Sequence, residues 1–482
     1  MAESKEIFRN YDPGGHFCEM LGMPGQEVEH TRAIREHLDA LGLPLLRERA
    51  RAAERELFNL GITFTVYSDR NAIDRVLPFD VIPRLISAQD WSAIESGVVQ
   101  RVTALNLFLQ DIYGEARILA DGIVPPDLVL GNPNYRPEMK GVRLPHGTYA
   151  HVCGVDLVRG GDGVFRILED NCRTPSGVSY VIENRLLMMR AFPDLTKGVR
   201  LRDVSGYGPR LYDALIETAP QDVADPQAAL LSPGLYNSAY FEHVFLARQM
   251  GVPLVEGRDL IVDENDCVQM KTTRGLSRVH VIYRRLDDAF LDPEAFRPDS
   301  LLGVRGLMRA YRAGKVMLAN AIGTGVADDK AVYAYMPRII RYYLDADPIL
   351  PNVDTRICRE PDALAYTLDN LDQLVVKPVG ESGGYGITIG PRASKAELEE
   401  CRARLLAQPE NFISQPLVDL SVSPTLAEDG VAPRHVDLRP YVVTGASSWV
   451  LPGGLTRVAL RKGSMIVNSS QGGGTKDSWV VG

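Results

Sequence analysis

Residues 374–390 read LVVKPVGESGGYGITIG, in which two short apolar runs flank a cluster of glycines. β-Branched residues fill both runs, so each run is predicted to be a strand and the glycines between them a flexible loop. Glycine permits positive φ and lets backbone N–H groups approach an anion. Lys377 closes the first strand, where it would place a positive charge at the phosphates of a nucleotide under the loop. The alternative is a glycine-rich hairpin whose lysine reaches solvent.

Several functional classes are excluded or disfavoured. The sequence contains neither Gly-x-x-x-x-Gly-Lys-Ser/Thr nor a Gly-x-Gly-x-x-Gly that opens a helix, which argues against a P-loop or Rossmann site. With 482 residues, 45% of them hydrophobic, and a net charge of −9, the chain suits two or three globular domains and no nucleic-acid or membrane partner. No apolar run approaches a membrane span and no signal-peptide pattern is present, so we expect a cytoplasmic protein.

A second informative stretch, residues 155–171, reads VDLVRGGDGVFRILEDN and predicts two strands joined by a Gly-Gly-Asp-Gly turn. If the turn is a two-residue loop, Asp156 lies opposite Ile167, and Asp156, Glu169 and Asn171 share one face. Oxygen donors of this kind suit Mg²⁺, which binds one or two carboxylates together with substrate phosphates. A one-residue slip would leave only Glu169 and Asn171 together. The alternative is a solvated polar hairpin.

Helices alternate with apolar strands in residues 201–330, which predicts an α/β unit with a parallel sheet. Charges at the carboxyl end of a strand commonly line a ligand crevice. Arg285 and Asp287 follow such a strand and are candidate substrate contacts, with an edge salt bridge as the alternative. The glycine-containing loop of residues 320–330 is predicted to face the same crevice. Arg173, in the turn after the acidic hairpin, is the cation predicted beside the metal.

The two ends of the chain carry fewer signals. Residues 1–125 read as a mostly helical region, with a strand near residues 62–67 and a strand and turn near residues 79–86. After the glycine-rich loop, further strands are predicted at residues 412–418, 435–443 and 455–460. The polar, glycine-rich stretch of residues 468–479 is predicted to be a frayed tail, although Trp479 hints that it docks.

Together these stretches resemble the ATP-grasp superfamily. In an ordinary ATP-grasp ligase the lysine and lid precede the metal strands, whereas here the acidic hairpin precedes the lid. That order resembles the circularly permuted ATP-grasp proteins related to glutathionylspermidine synthase-like sequences, over nearly the whole chain. The resemblance implies an α/β (α+β) ATP-grasp fold, circularly permuted, with a helical N-terminal region and an α/β acceptor-side domain. The implied segments are the helical region (1–125), a core segment with the metal-binding hairpin (126–200), the substrate-side domain (201–330), the lid (331–415) and the C-terminal core segment (416–482).

The resemblance also implies site residues. Asp156, Glu169 and Asn171 would hold Mg²⁺ between the phosphates of ATP. Lys377 and the loop would clamp those phosphates, the loop through Glu381, Ser382, Gly383, Gly384, Tyr385 and Gly386. Gln415 and Leu417 match the hinge that pairs with adenine, and Asp437 would contact the ribose. The candidate catalytic cations are Arg439 and Arg457, which match arginines that steady the γ-phosphate and an acyl phosphate, and Arg173.

The implied reaction is ligation. A carboxylate attacks the γ-phosphate of ATP, and an amine then captures the acyl phosphate to give an amide. The expected cofactors are ATP and Mg²⁺, and the expected partners are a small-molecule or peptide carboxylate and an amine. Two alternatives are a weakly active nucleotide-binding scaffold for a protein encoded in the same operon, and an ATP-grasp phosphotransferase. The prediction requires the acidic hairpin and the glycine-rich loop to form opposite walls of one cleft.

Overall fold

The computed structural model describes residues 7–23, 26, 28–68, 71–220, 223–235, 237–380, 386–465, 467 and 473–482. In chain order the α-helices are α1 (Arg32–Asn59), α2 (Ala88–Ile112), α3 (Arg117–Ala120), α4 (Pro126–Leu130), α5 (Val178–Ala191), α6 (Tyr207–Glu217), α7 (Tyr240–Met250), α8 (Asp288–Leu291), α9 (Leu307–Arg312), α10 (Lys330–Leu344), α11 (Pro361–Asp369) and α12 (Lys395–Ala407). Among the described residues, no helix has the length and apolar character needed to cross a membrane.

The strands, also in chain order, are β1 (Thr63–Ser68), β2 (Asn71–Val76), β3 (Phe79–Ser87), β4 (Val152–Arg159), β5 (Phe165–Asn171), β6 (Ala228–Leu231), β7 (Leu254–Val255), β8 (Leu260–Val262), β9 (Val268–Thr272), β10 (Gly275–Arg278), β11 (Val281–Arg284), β12 (Met317–Ala319), β13 (Arg356–Ile357), β14 (Leu374–Pro378), β15 (Thr388–Ile389), β16 (Phe412–Pro416), β17 (Val422–Ala427), β18 (Gly430–Thr444), β19 (Ser448–Val458) and β20 (Gly474–Val481).

A large sheet in the order β3-β20-β19-β18-β4-β5, with β17 paired to β18, forms the core. β20 runs parallel to β3 and antiparallel to β19, and its residues are all buried. The frayed tail predicted for the chain end is therefore wrong from Gly474 onward, whereas the hint from Trp479 is right, because its side chain is fully buried. Residues 468–472 of that stretch lie outside the described part of the chain.

The α/β unit has the predicted parallel sheet, in the order β12-β11-β6-β7. Parallel strands need crossover helices, and the chain supplies α7 between β6 and β7 and α9 between β11 and β12. The carboxyl end of β11 delivers residues 285–287 to the edge of this sheet.

A smaller antiparallel sheet in the order β13-β16-β14-β15 contains the lysine strand, which is β14 with Lys377. Its β14 and β15 pair through Val375 with Ile389, so the two strands predicted on either side of the glycine-rich loop are confirmed. α11 and α12 flank this sheet in the chain, and Val376 packs there with Cys401 and Leu405 of α12. The predicted domain boundaries stay predictions; the large sheet draws its strands from both ends of the chain.

The β4–β5 hairpin departs from the predicted register. Leu157 lies opposite Ile167, which is the one-residue slip that would have turned Asp156 to the other face. A β-bulge at Leu168 adds one residue to β5, so Asp156 lies opposite Glu169 instead of Ile167. The predicted register is therefore wrong, but the bulge returns the acidic residues to one face.

Candidate active site

Two distant segments of the chain meet at a cavity of about 210 Å³. One wall comes from β5 and contributes Glu169 and Asn171. The other wall follows β14 and contributes Val379 and Gly380, where the glycine-rich loop begins. Lys330, the first residue of α10, lies between them. The acidic hairpin and the segment that leads into the loop therefore face each other across one cleft.

The hairpin wall presents two oxygen donors. Glu169, opposite Asp156 in the sheet, is 31% exposed, and its pKa is raised by burial and by the adjacent Asp156 carboxylate. Asn171 Nδ2 donates to the carbonyl of Gly154 at 3.2 Å, so Oδ1 is the atom that its amide can offer to a cation. Glu169 and Asn171 are the hairpin residues best placed to serve a ligand in the cavity.

Behind Glu169 lies a network that we call the arginine clamp, formed by Asp156, Asp437, Arg439 and Arg457. Arg439 binds both oxygens of Asp156, with Nη2 at 2.8 Å from Oδ2, and Arg457 Nη2 lies 2.6 Å from Asp156 Oδ2. Arg457 Nε also lies 3.0 Å from each oxygen of Asp437, its cross-strand partner. Burial opposes the charge of Asp156, but the two guanidinium groups hold the pKa of its carboxyl below the ordinary value. Both carboxylates of the clamp are thus engaged by arginines.

The donor set fits Mg²⁺ only in part. Within the described ranges, no group of three or more His, Cys, Asp or Glu side chains is arranged to hold a metal ion. Mg²⁺ usually binds one or two carboxylates and completes its shell with water and substrate phosphates. Glu169 and Asn171 suit that incomplete set, whereas Asp156, fully buried between arginines, suits it least. The residues present fit a Mg²⁺ ion that arrives with a polyphosphate.

Two lysines stand near Glu169. Lys377 Nζ donates to Gln415 Oε1 at 2.6 Å, and burial lowers the pKa of Lys377 to about 8, against the opposing effect of Glu169. Lys330 Nζ lies 3.8 Å from Glu169 Oε2, and the Lys330 N–H donates to the Val379 carbonyl at 3.3 Å. Lys330 is not among the site residues predicted from the sequence, although the loop of residues 320–330 that contains it is predicted to face the crevice. The local sequence signal is Asp329, whose side chain caps α10 by accepting from the Ala331 N–H and so marks Lys330 as the start of a helix.

The predicted hinge lies at the end of β16. The Gln415 side chain is buried and binds both Lys377 and Thr355, the latter at 2.8 Å. Leu417 follows the strand and is half-buried. Apolar side chains from the large sheet and from the segments around β16 form a separate cluster; they are Val158, Leu168, Val353, Val418, Leu420 and Met465.

The glycine-rich loop is described only at its two ends. Gly380 lines the cavity, and Gly386 has a φ of 70°, a conformation that favours glycine. The predicted phosphate contacts in between lie outside the described residues; they are Glu381, Ser382, Gly383, Gly384 and Tyr385.

The structure separates the two predicted substrate contacts. Arg285 is 5% exposed, with Nη1 donating to the Pro175 carbonyl at 2.7 Å and Nη2 to Glu242 Oε1 at 3.2 Å. It therefore holds the turn after β5 to the α/β unit. Asp287 is 47% exposed, and its Oδ1 lies 3.5 Å from Nε of Arg173, which lines the cavity.

The fold and this cleft together define an ATP-grasp type of protein. The family model described as "Circularly permuted ATP-grasp type 2" matches residues 83–459, and the chain belongs to this family. An uncharacterized protein of Synechocystis sp. is 51% identical over 474 residues, which cover 98% of each chain. A glutathione synthetase-like effector of Globodera pallida in its apo form has a similar fold, with a TM-score of 0.57 at 11% identity, covering 91% of this chain and 97% of the effector.

A relative in Frankia casuarinae bears the name "Putative glutamate--cysteine ligase 2-2". It is 44% identical to this chain over 475 residues, which cover 98% of this chain and 54% of the Frankia protein. This chain thus spans about half of the length of that relative.

Proposed function

We propose that this protein is an ATP- and Mg²⁺-dependent carboxylate–amine ligase that works through an acyl phosphate. The observation that carries the proposal is the single cleft in which Glu169 and Asn171 face the start of the glycine-rich loop, with Lys330 and Lys377 beside them. Carboxylate and amide oxygens opposite two lysines and a glycine-rich loop suit a magnesium-bound triphosphate.

The nucleotide would lie between the two sheets. Lys330 and Lys377 would each place a positive charge at the phosphates, and the loop after Gly380 would cover them. The partly buried members of the apolar cluster, Leu168, Val418 and Met465, would offer a flat base an apolar surface near the hinge at Gln415 and Leu417. Asp437 is proposed to bind the ribose. Its carboxylate oxygens would do so through the lone pairs that are not used by the hydrogen bonds from Arg457.

Glu169 and Asn171 would hold the Mg²⁺, with Asp156 behind them. When bound, the ion would neutralise phosphate charge and orient the γ-phosphate. The chain's own contribution is positioning and electrostatics. Arg439 lies 4.0 Å from Glu169 through Nη2, so its charge stands behind the proposed transfer site, and Asp156 fixes its orientation.

The substrate carboxylate would attack the γ-phosphorus of ATP, and ADP would leave with the electrons of the broken bond. The amine nitrogen would then attack the acyl carbon and expel phosphate. Neither step needs a covalent bond to the protein. Glutamate is the first carboxylate to test, because the name of the Frankia relative points to it.

The test is ADP and phosphate release by the native protein with a panel of amino acids, peptides and polyamines. We expect Glu169→Gln to reduce ADP release roughly 10²–10³-fold, because the substitution removes the charge that holds the metal. The control is Glu399→Gln, an exposed carboxylate on α12. ADP formation without an amide product would indicate phosphotransfer or uncoupled hydrolysis, and nucleotide binding without ADP would indicate a scaffold. A native protein that binds no ATP would contradict all three functions.

A further inference from the structure

Two groups of charged residues lie at or beside the cavity. Near the start of the glycine-rich loop, Glu169 stands with Lys330 and Lys377, so cations outnumber the carboxylate. In the second group, Arg173 lies between two carboxylates, with Nε 3.5 Å from Asp287 Oδ1 and 3.7 Å from Asp328 Oδ2. The second group therefore has one more carboxylate than cations, while the first suits phosphate.

Asp328 is held in place by main-chain groups. It is the last residue of a 3₁₀ turn, Thr324–Asp328, and the main-chain N–H groups of Cys172 and Arg173 donate to its carboxylate. The side chain is 23% exposed and lines the cavity together with Asn171 of the hairpin wall. The carboxylate is thus rigidly placed next to the site proposed for phosphoryl transfer.

Arg173 stands at the wall of the cavity with its side chain one-third exposed. Its Nε faces the carboxylates of Asp287 and Asp328, which hold the guanidinium group in place. The other donors of a guanidinium group form a planar fork that suits a carboxylate or carbonyl oxygen. An oxygen of a ligand in the cavity would bind there.

We propose that Asp328 and Asp287 bind the ammonium group of the acceptor substrate, that Arg173 binds an adjacent oxygen of the same molecule, and that Asp328 takes the proton from the attacking nitrogen. The acceptor is accordingly an amino acid or a peptide with a free amino group. The nitrogen forms the new bond to the acyl carbon, the bond from that carbon to the phosphate oxygen breaks, and phosphate leaves with the electron pair. The ammonium group gives one proton to Asp328 before the nitrogen attacks, and Asp328 passes it to water. The second proton, which the nitrogen loses as the amide forms, leaves with the phosphate.

The environment of Asp328 agrees with this role. Burial raises the pKa of the Asp328 carboxyl to about 7, against the lowering effect of the Cys172 N–H and of Arg173. A base works best when its pKa lies near the operating pH. Asp170 and Asp329, which also line the cavity, are already bound by Arg101 and Asn132.

The inference rests on the proposed ligase function, and hydroxylamine separates the two. Hydroxylamine is neutral near pH 7 and captures an acyl phosphate without an ammonium site or a base. We expect Asp328→Asn to reduce amide formation from alanine roughly 10²-fold in kcat, while hydroxamate formation with the same carboxylate changes little. An equal loss of both products would overturn the proposal, and so would unchanged amide formation. A native protein that forms neither product would speak against the ligase function instead.

Binding gives a second readout that needs no turnover. Calorimetric titration of alanine into the full-length protein, loaded with Mg²⁺ and a non-hydrolysable ATP analogue, is expected to show binding that Asp328→Asn weakens about tenfold or more. Asp299→Asn, an exposed carboxylate paired with Arg297, is the matched control and should bind as the native protein does. Putrescine has the ammonium group but no oxygen for Arg173 and should bind more weakly. Absence of alanine binding, or equal binding of putrescine, contradicts the assignment.

Discussion

Two of the buried ion clusters in the large sheet differ in their surroundings. One is the arginine clamp, whose Arg439 and Arg457 side chains are 12% and 10% exposed and which adjoins Glu169 at the cavity. The other, here called the sealed cluster, contains Asp80 and Lys476 on β3 and β20, with Arg84 and Glu19 nearby. The Lys476 and Asp80 side chains are 0% and 3% exposed.

The two clusters differ in whether their hydrogen-bonding groups are all used within the protein and in whether a ligand can reach them. Lys476 Nζ donates to Asp80 Oδ1, to the Ile82 carbonyl at 3.0 Å and to the Pro424 carbonyl at 2.8 Å, which uses all three of its hydrogens. The ammonium group therefore has no hydrogen left for a ligand. The clamp is equally charged but stands behind an accessible carboxylate. Buried charge alone therefore does not mark a site, whereas a cavity with an accessible charged group beside it does.

The largest effect is expected at the sealed cluster. Lys476→Met would leave the Asp80 carboxylate buried without its cation, which typically costs about 3–5 kcal/mol of unfolding free energy. Urea denaturation followed by circular dichroism measures the loss. Lys462→Met, at an exposed lysine near β19, is the control and should change stability by less than about 0.5 kcal/mol.

The same variant also tests whether the sealed cluster contributes to activity. The fraction of Lys476→Met protein that remains folded should turn over ATP at the native rate, because Lys476 is not among the described residues that line the cavity. A stable Lys476→Met protein that has lost its activity would show that the sealed cluster belongs to the site.

The next largest effect is expected at the clamp. Arg439→Lys keeps a positive charge near Asp156 but loses the bidentate contact with its carboxylate. We therefore expect kcat to fall about 10²-fold, while the unfolding free energy changes by about 1 kcal/mol or less. Arg434→Lys on the same strand is the control, because the hydrogen bonds described for Arg434 go to the backbone carbonyls of Pro433 and Leu460. A loss of stability without a loss of kcat would make the clamp a second sealed cluster.

The sequence predicts those parts of the fold whose signal is local. The glycine cluster between two β-branched runs predicts the strands β14 and β15 on either side of it, and the alternating helices and strands predict the parallel sheet whose strand β11 ends before Arg285. Both patterns are complete within a few dozen residues, so no distant contact is needed to interpret them.

The remaining features depend on contacts between distant residues. Lys476 reads as part of a polar tail because its partner Asp80 is 396 positions away in the chain. No local sequence feature indicates the bulge at Leu168, so the register predicted for the hairpin differs by one residue from the pairing of Leu157 with Ile167 in the structure. Lys330 and Asp328 belong to a loop whose place at the cavity follows from packing against β5 and the lysine strand.

The smallest of the three effects is expected at Lys330, and it tests whether this lysine binds phosphate or only forms the first residue of a helix. Lys330→Met removes one of the two lysines near the proposed phosphates, so the KM for ATP should rise about tenfold with a smaller change in kcat, as expected for a lost point charge. Lys395→Met is the matched control, since Lys395 is also the first residue of a helix but is exposed and outside the described cavity lining. Steady-state ADP release at varied ATP concentration measures both constants. If both lysine variants behave alike, Lys330 belongs with the structural charges of the sealed cluster, and the phosphate contact falls to Lys377 alone.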